Sequence, residues 1–229
     1  MASELSLSIL KMHRPDSYLA LLFALATVAG APIRAAPAMV AGSVTNMDGA
    51  PAADAVVFVQ APVPAPDKSQ PMGVVDQVNK TFLPGLLPIV VGTAVRFPNH
   101  DQIHHHVYSF SPTKTFELPL YKGEAAAPVV FDKVGAVKIG CNIHDWMSGI
   151  ILVLPSRYFA VTDSSGHFVL ENLPAGTYTL VAWHALSKLK PEETAQSVQV
   201  GTEVTNPTFK LPLAPPKPRP AMHGNRAEP

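Results

Sequence analysis

Twenty-four prolines are spread through the 229 residues of this chain. Proline cannot continue a helix, so punctuation this frequent argues against long helices and for short strands joined by turns. Between the breaks lie short runs rich in β-branched and aromatic residues. Strands are predicted over Val40 to Thr45, Ala55 to Gln60, Val74 to Phe82, Ile89 to Phe97, His105 to Phe110, Val129 to Phe131, Val137 to Cys141 and Gly149 to Leu154, each bounded by Gly, Pro, Asn or Asp. Beyond Pro155 the pattern resumes with Phe168 to Leu170, Tyr178 to His184, Val198 to Val200 and Thr208 to Leu211. Leu186 to Gln196 suits a short helix or a loop. This spacing predicts an all-β chain of antiparallel sandwiches. Ala61 to Pro71 (APVPAPDKSQP) reads as a stiff linker, and residues 214–229 as a disordered, extended Pro-rich tail.

Hydrophobic residues make up 47% of the chain and charged residues 15%, which is enough apolar material to order most of its length. Lys+Arg and Asp+Glu both number 17. A chain without basic excess is poorly suited to nucleic acid or to anionic membranes. At the N-terminus, Lys11, His13 and Arg14 precede the apolar run Tyr18 to Ala31 (YLALLFALATVAGA), followed by Ala36-Pro37-Ala38. Such a run is short for a bilayer span and suits a secretory h-region. Residues 1–38 therefore read as a Sec-type signal peptide, and the expected location is the periplasm, with no stable membrane insertion after cleavage. An uncleaved anchor is the alternative.

Export gives the cysteine count its meaning. Cys141 is alone, so no intramolecular disulfide can form, and a lone thiol in an oxidising compartment needs burial or a metal. It opens the segment Cys141-Asn142-Ile143-His144-Asp145-Trp146-Met147. A soft thiolate, imidazoles and a weak axial thioether form the donor set of a blue-copper site. A second imidazole has candidates upstream in His100, His104, His105 and His106. Strand alternation turns His104 and His106 one way and His105 the other, without saying which side faces a metal.

These residues resemble the cupredoxins, and the plastocyanin and amicyanin branch in particular. Val95 to Val107 is similar to the strand, turn and first-histidine segment of that family, and the resemblance puts the ligand at His105, with His104 where the family has proline and His106 where it has asparagine. Gly135, Val137, Ile139, Cys141, His144, Met147 and Gly149 match the second part of the pattern, with a short, amicyanin-like loop. The resemblance covers roughly Met72 to Pro155. It implies a Greek-key β-sandwich and one copper ion held by His105, Cys141, His144 and Met147, with His144 as the electron port. The wording around Cys141 and His105 also resembles bacterial proteins loosely labelled methylamine-utilisation proteins.

His104 and His106 are expected to be surface or supporting groups, with an auxiliary metal site including His100 as the alternative. Trp146 is expected to be a partly buried packing residue, and His167 and His184 to be structural. Gly140 and Asn142 flank Cys141, so the His-Cys-His wiring of multicopper oxidases is missing, a single cysteine excludes a two-cysteine dinuclear centre, and no catalysis by this chain alone is expected.

Asp163-Ser164-Ser165-Gly166-His167-Phe168 and Leu173-Pro174-Ala175-Gly176-Thr177-Tyr178 resemble the carboxypeptidase regulatory-like, transthyretin-type β-sandwich, as does Val40 to Val59 with its Asp48-Gly49 turn. The resemblance implies a discontinuous second sandwich, residues 39–65 and 156–213, with the cupredoxin domain, residues 72–155, inserted between its strands. The simpler alternative is one enlarged cupredoxin with a short appended sandwich. The leading expectation is a one-electron copper carrier with redox protein partners in the periplasm. A copper chaperone or storage protein, and an envelope scaffold or adhesion module with a vestigial site, are the alternatives.

Overall fold

The computed structural model describes residues 38–61, 71–124, 127–201 and 205–215. The residues read as a signal peptide, 1–38, lie outside them except for Ala38, which begins the first strand, and the body of the Pro-rich linker and the tail from residue 216 also lie outside them. The chain runs through β1 (Ala38–Asn46), β2 (Val56–Val59), β3 (Gly73–Val74), β4 (Asp76–Val78), β5 (Thr81–Leu83), β6 (Leu86–Val90), β7 (Thr93–Arg96), β8 (His105–Ser111), β9 (Lys114–Tyr121), β10 (Val129–Phe131), β11 (Gly135–Gly140) and β12 (Ser148–Leu154). It continues through β13 (Phe159–Val161), β14 (His167–Leu173), β15 (Gly176–Trp183), the short 3-10 turn Pro191–Thr194, β16 (Gln196–Val200) and β17 (Thr208–Leu211). The described residues are nearly all β, with one 3-10 turn, as the sequence predicts, and no helix among them is long and apolar enough to cross a membrane.

Two strand expectations change. Val74 to Phe82 is not one strand: Val74 ends β3, which pairs with β7, and the remainder lies in a hairpin, because Asn79 and Lys80 both take positive φ, +53° and +56°, and reverse the chain between β4 and β5. Ile89 to Phe97 likewise breaks at Gly92, whose φ of +91° separates β6 from β7. The edge strand β9 has no counterpart in the expected set. Its sequence alternates apolar and polar residues only as far as Leu118 and then meets Pro119, and proline is tolerated in sheets chiefly at edges.

Strands β6-β12-β11-β8-β9 form a five-stranded sheet, and β10-β7-β3 a smaller one. Between them lies an apolar cluster that includes Phe82, Val95, Phe97, Val107, Phe131, Val137, Ile139 and Ile151, and it also takes in Cys141 and Met147. Strands β14-β1-β17 and β13-β2-β15-β16 form the other two layers. Here β1 lies antiparallel to β14 and parallel to β17, and β2 lies antiparallel to β13 and β15. Val40, Val57, Phe168, Leu180 and Phe209 are among the residues that fill the space between these layers.

A third apolar layer joins the two pairs of sheets. Alternation along β12 sends Ile151 and Val153 into the first core and Leu152 and Leu154 the other way. On β2, Val57 and Val59 face the second core while Val56 and Phe58 turn to meet Leu152, Leu154 and Val181. Both strands are thus covered on both faces, which explains why VVFV and IILVL are continuous apolar runs rather than alternating ones.

Candidate metal centre

Cys141 follows the last residue of β11, and Met147 precedes the first residue of β12. The pair Gly140↔Ser148 closes the hairpin around them. Within the loop, the Cys141 N–H donates to the Met147 carbonyl at 3.1 Å and the Met147 N–H donates to the His144 carbonyl at 2.9 Å. These bonds curl the chain so that the side chains of Cys141 and His144 converge. Cys141 Sγ lies 3.7 Å from His144 Nδ1.

The third donor comes from another strand. His105 opens β8, is fully buried, and brings Nδ1 to 3.9 Å from Cys141 Sγ. The His105 and His144 rings meet edge on, with centroids 4.9 Å apart. One donor atom from each of His105, Cys141 and His144 lies within 4.8 Å of the others. A single ion with bonds of about 2.0–2.3 Å to nitrogen and sulfur spans donors at such separations. The structure therefore brings together three of the four residues singled out from the sequence as a group able to hold a metal ion. Met147, the fourth, is 2% exposed and sits in the same apolar cluster as Cys141.

The remaining histidines go elsewhere. His104 is exposed. His100 is also exposed, and its Nδ1 lies 2.7 Å from Asp76 Oδ1; that hydrogen bond, followed by the carboxylate's charge, raises its pKa above the usual value. His106, expected to be a surface or supporting group, is buried. Its Nε2 lies 2.8 Å from Glu117 Oε1, and its ring stands 5.5 Å from that of Tyr108. Among the described residues, these three histidines do not converge into a second metal group.

The loop that delivers His105 is built from buried polar contacts. Asn99, 4% exposed, donates through Nδ2 to the carbonyls of Ile103 and Tyr121, both at 2.9 Å, and accepts the Asp101 N–H on Oδ1 at 3.0 Å. The fully buried Gln77 donates to the carbonyls of Phe97 and Pro98, and the Tyr121 hydroxyl donates to Phe97. Burial pushes the Tyr121 hydroxyl up to about 12, so it remains a neutral donor.

Sequence reasoning missed Asp101. Its Oδ2 lies 2.7 Å from His105 Nε2. Burial raises the carboxyl's pKa, but the Lys80 N–H, the His105 ring and the Asn79 N–H together outweigh it and hold the group below its ordinary value. The available signal was only an acidic residue four positions before a candidate ligand.

His144 is half-buried and packs beside Trp146, with centroids 5.3 Å apart. Trp146 is 39% exposed and Ile143, its neighbour in the same loop, 49%, so the loop presents two apolar side chains to solvent beside His144. On another side, a groove of about 470 Å³ lined by Tyr108, Phe110, Lys138 and Asp145 reaches Cys141 and Met147.

No protein-family model matches the chain, and no curated protein matches it. Solved structures similar to part of it include a copper-containing enzyme, an amicyanin and a purple cupredoxin. A Cu-containing nitrite reductase (NirK) from Thermus scotoductus is 28% identical over 40% of this chain, with a TM-score of 0.34. The match spans only 25% of that enzyme's length. A Cu(I) amicyanin mutant is 22% identical over 44% of this chain and 98% of its own, with a TM-score of 0.34. A purple cupredoxin from Nitrosopumilus maritimus is 27% identical over 35% of this chain and 95% of its own, with a TM-score of 0.31.

Proposed function

We propose that this chain holds one copper ion in a type 1 site and serves as a one-electron carrier in the periplasm, not as an enzyme. The observation that carries the reading is the approach of Cys141 Sγ to within 3.7 and 3.9 Å of two imidazole nitrogens from separate segments. A buried thiolate with two imidazoles and a nearby thioether favours copper over harder divalent ions. Bound there, copper supplies one-electron exchange between Cu(I) and Cu(II).

The residues divide the remaining work. Cys141 offers the soft donor from the apolar cluster that it shares with Val107, Val137 and Ile139. His105 would hold the ion from the interior strand, and His144 from the short loop it shares with Met147, which we assign as the weak fourth donor. The half-buried His144, with the exposed Ile143 and Trp146 in the same loop, is where a redox partner protein would approach. We assign residues 1–38 as the export signal. We further read residues 72–155 as a domain inserted into a structural sandwich, a reading supported by the pairing of β1 and β2 with strands beyond residue 156.

The test is a Cu(II) titration of the mature protein and of Cys141→Ser, followed by visible absorption and EPR. An intense thiolate-to-copper band with small hyperfine splitting, lost in the variant, is the expected result. A weak spectrum indifferent to Cys141 would overturn the assignment. Reversible electrochemistry with fast exchange then separates a carrier from a copper chaperone.

A further inference from the structure

His105 is held at both ring nitrogens. Nδ1 faces Cys141 Sγ at 3.9 Å, and Nε2 lies 2.7 Å from Asp101 Oδ2. In a neutral imidazole, the hydrogen bond at one nitrogen decides which nitrogen carries the proton. With Nε2–H donating to a carboxylate, the lone pair of Nδ1 is left for the donor group.

Asp101 is itself gripped. Its Oδ1 accepts the Asn79 N–H at 2.6 Å, its Oδ2 accepts the Lys80 N–H at 2.7 Å, and its own N–H donates to Asn99 Oδ1 at 3.0 Å. Asn79 and Lys80 form the turn of the β4–β5 hairpin, and both adopt the left-handed region. Two-residue hairpin turns of this kind require positive φ at both central positions. Consecutive N–H groups in a turn then make a small anion-binding concavity, and here its anion is the chain's own carboxylate.

We propose that the Asn79–Lys80 turn and Asp101 form a positioning relay that fixes His105 as its Nε2–H tautomer, presents Nδ1 to Cys141 and His144, and sets a permanent negative charge behind that imidazole. The relay's effect on copper rests on the site assignment above; its effect on the tautomer does not. Asp101 touches no metal and acts only through His105. A carboxylate behind a ligating histidine raises its basicity, and losing such a partner typically costs 10–100-fold in metal affinity.

The first readout needs no metal. Long-range proton–nitrogen NMR of the metal-free protein, at a pH above histidine's usual range, is expected to show His105 protonated at Nε2 in the wild type and as a tautomer mixture in Asp101→Ala. Copper affinity should fall about 10–100-fold in Asp101→Ala. Asp101→Asn keeps a carbonyl acceptor for His105 but removes the charge, so the reduction potential should rise as the oxidised ion loses its nearby anion. A wild-type His105 protonated at Nδ1, or an unchanged tautomer in Asp101→Ala, overturns the relay. If Asp101→Ala does not fold, the wild-type spectrum and the potential of Asp101→Asn decide, and an unchanged potential there counts against the fixed charge. A wild type that takes up no copper at Cys141 would sink the proposed function, while the tautomer result would still judge the relay.

Discussion

The Cys141 N–H reaches the Met147 carbonyl at 3.1 Å, so the two sulfur-bearing residues of the loop are tied through their backbones before any side chain is considered. Both side chains then enter one apolar cluster. Replacing Met147 leaves this backbone bond intact, and the stability change of the metal-free protein should follow side-chain volume alone. Met147→Leu, close to volume-conserving, is expected to cost less than about 1.5 kcal/mol. Met147→Ala should cost about 2–5 kcal/mol. Urea midpoints compare the two, and equal losses would show that the thioether is not packed in the core.

The layer shared by the sandwiches predicts cooperative unfolding. Leu154 is 1% exposed and lies against Val56, Phe58 and Val181. Leu154→Ala should cost about 2–5 kcal/mol and shift one common transition in calorimetry. Two transitions, with only one of them moved, would show that the sandwiches unfold independently.

Gly166 carries a sharper constraint. Its φ is +75°, its carbonyl accepts the Val44 N–H at 2.8 Å, and a Cβ there would stand 2.4 Å from the Val44 carbonyl oxygen. Gly166→Ala incurs both backbone strain and a collision with backbone, and should destabilise by more than about 1 kcal/mol. Thermal unfolding measures it, and an unchanged midpoint would mean that the turn can rearrange freely.

His184, in the second sandwich, makes the stability of the fold sensitive to acid. It is 8% exposed, its Nε2–H donates to the Ala53 carbonyl at 3.1 Å, and its Nδ1 accepts the Leu186 N–H at 3.0 Å. Burial lowers its pKa below the ordinary 6.5, against the smaller opposing pulls of the Ala53 carbonyl and Asp54. The unfolded chain then binds the proton more readily than the folded one, so His184 takes stability away as pH falls from about 6.5 toward the depressed folded value, and has no effect on the pH dependence above that window. His184→Gln keeps a donor and an acceptor without titrating. Urea midpoints taken above and below this window should fall less in the variant than in the wild type, and parallel losses would remove His184 as a cause.

Much of the donor group was legible in the text of the chain. Cys141, His144 and Met147 occupy seven consecutive residues, and a loop that short imposes its own geometry, so their meeting needs little help from elsewhere. His105 was one of several candidates by alternation, because period-two patterning separates faces without saying what each face meets. Asp101 and the Asn79–Lys80 turn were not legible at all: a carboxylate in a turn and a polar hairpin tip read as ordinary solvent-facing residues until β8, β4 and β5 are placed together.

Residue order by itself determined that the chain beyond the N-terminal apolar run is built of short strands, because proline, glycine and turn residues cut its apolar runs before a helix can mature. It also determined which soft donors lie side by side. Tertiary structure decided what those donors face. Pairings such as Ser43 with Thr208 and Leu180 with Val59 join residues more than a hundred positions apart, and the double burial of β2 and β12 exists only once both cores have formed. Local propensity acts over a few residues, whereas these contacts depend on which complementary surfaces come together in three dimensions.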